Sequence, residues 1–327
     1  MNQPQSNDVL ILMAAYNCHK YIEEQVESIR AQAGVNWRLT VRDDGSGGAT
    51  PGIIHRLASK DDRIESIEDA HGNLGVCGNF ALLALRAQSD GCSYLAFADQ
   101  DDYWLPGKLL RQLELMRKME YENPGAPILV YSDLEVVDSR LTPIAPSFMR
   151  YQGIRHEENS PLDVLLAQNF VIGCTMLVNK PLLDLALPVP EEVLMHDWWF
   201  ALCAATCGRI GFVDMPLVKY RQHGDNEVGA KSVKSMLNPL RILWFRQWRA
   251  GRDNLFASMD QAVALAERLR DRSDAFPGAA QHLWLIDGYA TLTGLPPLDR
   301  LRQLRRLGVR SQSCMRRTLL YSRLLLA

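Results

Sequence analysis

Tyr94-Leu95-Ala96-Phe97-Ala98-Asp99-Gln100-Asp101-Asp102 is an uncharged run that ends in three carboxylates within four residues. The apolar part has the length of a strand, so the acids sit just past a strand end. Acids this close repel one another. Hard oxygen ligands at this density are explained by a bound Mg2+ or Mn2+, ions that keep several waters and bridge substrate phosphates. A solvated acidic turn explains the triplet equally well when it is taken alone.

Outward from this point the chain alternates strands and helices. Val9 to Ala14 is a continuous apolar run, suited to a strand covered on both faces. Tyr21 to Gln32 places Ile22, Val26 and Ile29 at helical spacing, and Trp37 to Val41 alternates like a strand before the turn cluster Arg42-Asp43-Asp44-Gly45-Ser46. A strand–helix–strand unit of this length predicts a parallel pair with a crossover. The pattern continues with a helix over Pro51 to Ser59, a short strand over Arg63 to Ile67 and a helix over Asn79 to Ala87. Beyond the acids, Pro106 suits the first turn of a helix carrying Leu109, Leu113, Met116 and Met119. Ile128 to Tyr131, Phe170 to Val178 and Arg209 to Val213 read as strands, Ser160 as the cap of a helix through Gln168, and Asp197 to Cys207 as a helix. These elements define an α/β fold with a mostly parallel central sheet flanked by helices. Near Gly224 to Ala230 the character changes to helical segments rich in arginine and aromatics. The expected organisation is a catalytic domain over 1–230 and a basic helical region over 231–327.

Composition narrows the classes of function. The chain has 327 residues, 47% hydrophobic and 23% charged, ordinary for a soluble globular protein. The polar start, Met1 to Asp8, lacks the pattern of a secretory signal. The longest uncharged stretch, Val164 to Asn179, is broken by Gln168, Asn169 and Gly173 and falls short of the ~20 apolar residues of a spanning helix. Seven cysteines, an odd number with no CxxC pair, read as free thiols and fit a reducing cytoplasm. Residues 231–327 hold 17 Lys and Arg against 7 Asp and Glu, whereas 1–230 hold 19 against 31. The acidic front argues against a nucleic-acid partner; the basic rear favours an anionic surface.

Four further clusters carry possible chemistry. In Asp43-Asp44-Gly45-Ser46 a carboxylate past a strand end can accept the ring N–H of a pyrimidine, or form a plain Asp-Gly turn. His196-Asp197-Trp198-Trp199 opens a helix with an acid, a site for a base or only a cap, and its tryptophans are either core or a platform for a sugar face. Tyr220-Arg221-Gln222-His223-Gly224-Asp225-Asn226 combines a metal-ligand type, His223, with a phosphate-contact type, Arg221. His71-Gly72-Asn73-Leu74-Gly75-Val76-Cys77-Gly78-Asn79 is a glycine-rich loop entering a helix, a place where phosphates approach closely. Its spacing is neither the dinucleotide fingerprint nor a Walker loop.

Together, Met13-Ala14-Ala15-Tyr16-Asn17, Arg42-Asp43-Asp44-Gly45-Ser46 and Asp99-Gln100-Asp101-Asp102-Tyr103-Trp104-Leu105-Pro106 resemble family 2 glycosyltransferases of the GT-A fold. Asn169-Phe170-Val171-Ile172-Gly173-Cys174-Thr175, His196 to Trp199 and Tyr220 to Gly224 resemble a narrower branch that includes bacterial rhamnosyltransferases of O-antigen and cell-wall rhamnan assembly. Arg42 departs from the pattern, which has an apolar residue before the aspartates. The resemblance implies an inverting, metal-dependent transferase using a nucleotide sugar, with dTDP-L-rhamnose favoured over a UDP-hexose, and a glycan or lipid-linked saccharide acceptor. It implies nucleotide-sugar contacts at Ala15, Tyr16, Asp43, Asp44, Asn73, Asp99, Gln100, Asp101, Trp199 and Arg221, a divalent cation at Asp101, Asp102 and His223, and a catalytic base at Asp197, kept ionised by His196 or the metal. The rival classes are a non-catalytic nucleotide-sugar-binding subunit of an assembly complex and a polyanion or membrane adaptor. The basic region is expected either to contact the cytoplasmic face of the membrane or to pack on the catalytic domain or a second subunit of a homo-oligomer.

Overall fold

The computed structural model describes residues 8–223 and 243–326. The chain divides into two compact units. The first comprises Met1–Phe148, Val171–Pro188 and Arg209–Ala230, and the second Met149–Phe170, Val189–Gly208 and Lys231–Ala327. The expected junction at residues 230 and 231 lies outside the described residues. So do Gly224, Asp225 and Asn226, and the start of the basic run through Arg241.

The first unit is built on one sheet of nine strands: β1 (Asp8–Ala15), β2 (Asn36–Asp43), β3 (Ile64–Ile67), β4 (Tyr94–Ala98), β5 (Tyr103–Trp104), β6 (Ile128–Val137), β7 (Pro143–Ala145), β8 (Leu177–Asn179) and β9 (Arg209–Arg221). Their order is β3-β2-β1-β4-β8-β6-β9-β5, with β7 on β6. Leu10 to Met13 in β1 and all of β4 are buried, as continuous apolar runs covered on both faces must be. Helices α1 (Ile22–Arg30) and α2 (Thr50–Ala58) supply the crossovers that parallel β1, β2 and β3 require. The α1 stripe Ile22, Val26 and Ile29 is fully buried. Helix α3 (Gly75–Ser89) then carries the chain back, so that β4 pairs with β1 on the side away from β2. The strand order therefore reverses between β1 and β4, and open α/β sheets bind ligands past the carboxyl ends of strands at such a reversal.

Several elements differ from expectation for identifiable reasons. Helix α4 (Lys108–Glu122) begins two residues after Pro106, behind Gly107 in the left-handed region at φ 79°. Of Phe170 to Val178 only the end is strand; Gly173–Thr175 form a 3-10 turn, and β8 runs antiparallel to both β4 and β6. Helix α7 (Lys180–Ala186) follows, capped by the Asn179 side chain accepting from Leu182 N–H at 3.3 Å. β9 is much longer than Arg209 to Val213: it runs through Pro216 by shifting register against β6 around Asp133, which spares the proline a ladder bond it cannot make.

Helix α5 (Phe148–Gln152) leads into the second unit, which holds α6 (Pro161–Leu165), α8 (His196–Cys207), α9 (Leu243–Asp271), α10 (Leu283–Ala290), α11 (Pro297–Leu307) and α12 (Cys314–Leu325). Ser160 precedes α6 but its side chain makes no capping bond. Met259, Ala262, Leu265 and Leu269 of α9 are buried with Ile286, Tyr289, Leu304, Leu320 and Leu324. The hydroxyls of Ser258 and Tyr289 satisfy each other at 2.8 Å inside that core. Among the described residues no helix is long and apolar enough to cross a membrane.

Candidate functional site

Three parallel strand ends place most of the expected site residues. Ala15 lies opposite Asp43, and Met13 opposite Ala98. Asp44 N–H donates to the Ala15 carbonyl at 2.8 Å, extending the β1–β2 pairing by one bond. Gln100 closes the other side: its Oε1 accepts from Tyr16 N–H at 2.5 Å and its Nε2 donates to the Tyr16 carbonyl at 3.0 Å. This two-point bridge spans the reversal between β1 and β4 and fixes the backbone of Tyr16, a residue 48% exposed.

The loop after β2 is a hydrogen-bonded turn. Asp43 accepts from the Ser46 hydroxyl and, at 3.1 Å, from Ser46 N–H, the local bonding that suits Asp to turns. Asn17 ties β1 to this turn through its N–H to Ser46 Oγ at 2.8 Å and its Oδ1 to Gly47 N–H at 3.1 Å. Gly45, at φ 83°, passes close under the glycine-rich loop. Asp44 is nearly buried at 3% exposure. Its Oδ1 accepts from Arg42 Nη1 at 2.6 Å and from Leu74 N–H at 2.8 Å. Its Oδ2 has no partner among the described residues. Asn73 reaches the same residue, donating from Nδ2 to the Asp44 carbonyl at 3.0 Å.

The three acids after β4 separate into two groups. Asp101 is part-buried, and its Oδ2 lies 2.8 Å from His223 Nε2, with side chains 16% and 10% exposed respectively. Asp102, expected beside Asp101 on a metal, instead turns inward and is fully buried. Its Oδ1 accepts from Arg221 N–H at 3.2 Å, and its ligand oxygen lies within 4.8 Å of those of Asp99 and Cys174 Sγ. Burial raises the Asp102 carboxyl well above the carboxylate range, and repulsion from Asp99 and Asp101 adds to this. A hard divalent cation suits the donor types of Asp101 and His223, a carboxylate oxygen and an imidazole nitrogen 2.8 Å apart. It fits the inner group less well, since Cys174 offers a soft, buried thiol that burial holds protonated.

Arg221 corrects a second expectation. It is 1% exposed and its guanidinium is engaged with the Asp101 carbonyl at 2.8 Å, the Ser139 carbonyl at 2.8 Å and Glu24 at 2.6 Å, while lying over the Tyr21 ring. It supports the acid loop from behind and does not reach outward to a diphosphate. Tyr21 also stacks on His223, at 4.9 Å between ring centroids. Tyr21, Glu24, Cys174 and Lys108 were not among the expected site residues. Lys108 is fully buried over the Trp104 ring and bonded to Gln112, and burial lowers its ammonium to about 7. Nothing in its sequence context distinguishes it from a solvated lysine at a helix start.

Asp197 sits in the first turn of α8 in the second unit, 8% exposed, with Oδ1 accepting from Asn169 Nδ2 at 3.1 Å. His196 beside it is buried, and burial lowers its imidazole to about 3, so it is neutral and brings no positive charge to Asp197. Trp199, expected under a sugar, is completely buried in the second unit with the Arg268 guanidinium 5.6 Å from its ring. It packs the core because α8 is apolar on nearly every face. Trp198 is part-buried, its indole N–H bonded to the Leu165 carbonyl.

A mixed sheet with its strand reversal between β1 and β4, flanked by helices and followed by an acid loop, is the architecture of the GT-A fold. Residues 10–183 match the family described as Glycosyl transferase family 2, and the chain belongs to that family. It is 25% identical over 248 residues to "dTDP-rhamnosyl transferase RfbG" of Shigella flexneri, a match covering 72% of this chain and 81% of that one. In fold it is similar to S. aureus TarS 1–349 solved with UDP-GlcNAc, at TM-score 0.52 and 15% identity over 92% of this chain and 88% of that one. It is also similar to the mannosyltransferase PcManGT of Pyrobaculum calidifontis solved with GDP-Man and Mn2+, at TM-score 0.51 and 17% identity over 97% of this chain and 84% of that one.

Proposed function

We propose that this glycosyltransferase moves L-rhamnose from dTDP-L-rhamnose to a hydroxyl of a glycan or lipid-linked saccharide, with inversion at the anomeric carbon. The observation that carries the reading is the convergence of Tyr16, Asp44, Gln100 and the Asp99–Asp102 loop at the reversal between β1 and β4. Asp44 Oδ2, the oxygen left over by Arg42 and Leu74, accepts the ring N–H of the pyrimidine. Tyr16 offers its exposed ring beside it, and Asn73 lines the same end. Asp101 and His223 would hold a divalent cation. Bound there, Mg2+ or Mn2+ would offset the charge that grows on the leaving diphosphate. Asp197 is the base: an alcohol is a poor nucleophile near neutral pH, and a carboxylate accepting its proton during attack is worth about 10²–10⁴-fold. A single base used in direct displacement inverts the anomeric carbon, by the geometric logic seen in glycosidases.

The choice of L-rhamnose rests on the similarity to the Shigella flexneri protein and on the stretches His196 to Trp199 and Tyr220 to Gly224. The deciding experiment is turnover against dTDP-L-rhamnose, UDP-GlcNAc and GDP-mannose with Mg2+ or Mn2+, with product stereochemistry read by NMR. The highest kcat/KM is expected for dTDP-L-rhamnose, giving the α-L-rhamnoside. Clear preference for a UDP-hexose replaces the donor assignment, and binding without turnover of any donor favours a non-catalytic subunit. The second unit's basic surface is proposed to rest on the cytoplasmic face of the membrane, where a lipid-linked acceptor waits.

A further inference from the structure

Arg42 is the residue before the two aspartates, and its side chain is only 2% exposed. Burying a guanidinium is costly unless its donors are satisfied, and here they are satisfied across two separate loops. Nη1 donates to Asp44 Oδ1 at 2.6 Å. Nε and Nη2 grip both oxygens of Asp69, at 2.6 and 2.9 Å, and Nη2 also donates to the Gly72 carbonyl at 3.0 Å. Asp69 Oδ1 in turn accepts from His71 N–H at 2.9 Å. The segment from Asp69 to Leu74 has no regular secondary structure to hold it. Its attachments to the β2 end are this one guanidinium, the Leu74 N–H on Asp44 Oδ1 at 2.8 Å and the Asn73 amide on the Asp44 carbonyl at 3.0 Å. Gly45 holds the turn on a backbone at φ 83°, the left-handed region that favours glycine, where a Cβ would meet Asn73 N only at ordinary contact distance, 3.7 Å.

The consequence falls on Asp44. The terminal torsion of an aspartate is broad, so a lone carboxylate turns freely between equivalent settings. Two donors on Oδ1, one from β2 and one from the strapped loop, remove that freedom and leave Oδ2 in a single direction. We propose that Arg42, anchored by Asp69, is a positioning residue for nucleobase recognition, setting Asp44 and docking the 69–74 loop as one wall of the base pocket. This rests on the reading of Asp44 as the base contact. A lysine keeps the charge at position 42 but cannot span Asp44, Asp69 and Gly72 at once, because it has no planar fork. Asparagine at position 69 keeps the shape and loses the ionic anchor.

The test uses Arg42→Lys and Asp69→Asn in the full chain, chosen over an apolar residue at 42 because that would leave the buried Asp44 carboxylate without its charged partner. Calorimetric titration with dTDP, GDP and inorganic pyrophosphate, all with Mn2+, is combined with donor kinetics. Each variant is expected to lose preference for dTDP over GDP by about tenfold, the scale of a charged hydrogen bond, with a matching rise in donor KM. Pyrophosphate affinity and kcat should stay near wild type. If both variants melt earlier yet keep base preference and donor KM, Arg42 is merely structural and the proposal is overturned. Asp44→Asn separates the two layers. If it abolishes base preference while the other two variants keep theirs, only the clamp fails. If Asp44→Asn itself leaves base preference intact, the base-contact reading fails and the clamp with it.

Discussion

Asp101 carries the oxygen of the acid loop that meets His223, 2.8 Å from its Nε2. Asp101→Ala removes the proposed hard ligand and leaves only an imidazole, too little to hold Mg2+ against water. Turnover should fall by about 10²-fold or more, as when an electrostatic contact to developing charge is removed. EDTA should do the same to the unmodified protein. Full activity in EDTA would end the metal assignment. Asp197→Asn has a different signature. The amide oxygen can still accept from Asn169 Nδ2, so the start of α8 is kept, but it cannot take up a proton. Initial-rate kinetics should show kcat reduced by about 10²–10⁴-fold with donor KM unchanged. A raised KM at unchanged kcat would mean that Asp197 binds and is not the base. At this scale the sequence disclosed which residues gather and not where they point. Asp43, Asp44 and Asp99 to Asp102 are legible because they stand just past strand ends within stretches that resemble the family's, although each cluster alone reads equally as a solvated turn. The inward turn of Asp102, the burial of Arg221 and Trp199 and the fork of Arg42 are not, since each depends on partners far away: Glu24 for Arg221, Arg268 for Trp199 and Asp69 for Arg42.

The elements were easiest to read where one physical signal was undiluted. β1 and β4 are continuous apolar runs, and α1 is a stripe of Ile22, Val26 and Ile29, so their positions followed from periodicity. β9 extends beyond Arg209 to Val213 because pairing with β6 carries the strand through Asp214-Met215-Pro216 by a register shift, which the local sequence does not signal. Gly173–Thr175 was read as strand because its residues are apolar, yet it turns below β4, with Gln112 donating to the Thr175 carbonyl. Helix α8 supports a prediction of its own. His196, in its first turn, is buried and neutral, with its imidazole lowered to about 3 against about 6.5 in the unfolded chain. Its folded pKa is depressed, so the unfolded state binds the extra proton between these values. Stability is complete above about pH 6.5 and is lost as pH falls below it, by at most about 1.4 kcal/mol per pH unit. His156 and His282, also lowered by burial, add in the same direction. Asp61 and Asp69, both held near 2 by arginine partners, contribute only at lower pH. Asp102, whose carboxyl is raised by burial, works in the opposite direction, so the expected outcome is a difference: between pH 7 and 5 the melting temperature of the unmodified protein should fall relative to that of His196→Asn. Parallel slopes for the two proteins would show that His196 is not taken up neutral.

Across the whole molecule, the division of the chain is the part that no local pattern announces. The second compact unit draws on Met149–Phe170 and Val189–Gly208 as well as the C-terminal stretch, so Asp197 belongs to it although it precedes β9. Truncation after Ala230 would cut that unit apart, and the basic region is better probed by point variants. The charge contrast stands: 17 Lys and Arg against 7 Asp and Glu over 231–327. Several apolar residues that accompany the arginines of 231–327 are used inside the unit. Leu320 and Leu324 are core, Trp248 donates to Ser322 Oγ at 3.1 Å, and Leu237 and Leu240 lie outside the described residues. Among its described residues the second unit exposes Trp284 at 63%, Leu298 at 64%, Leu326 at 70% and, less, Val263 at 44%, with the Arg302 side chain 78% exposed. Apolar and aromatic side chains beside arginines suit the interfacial layer of a bilayer, and each arginine near an anionic leaflet adds about 1 kcal/mol. The proposed contact is thus mainly electrostatic, assisted by a few apolar insertions, and salt must weaken it. Co-sedimentation should show the full chain bound to vesicles containing anionic lipid at low ionic strength and released at high. Arg302→Glu should weaken that binding with no change in turnover of a soluble acceptor analogue. Trp284→Ser with Leu298→Ser should remove the portion that survives salt. Absence of binding at low salt, or equal binding to neutral vesicles, would return the arginines to the role of a solvated face and leave the acceptor to be met in solution.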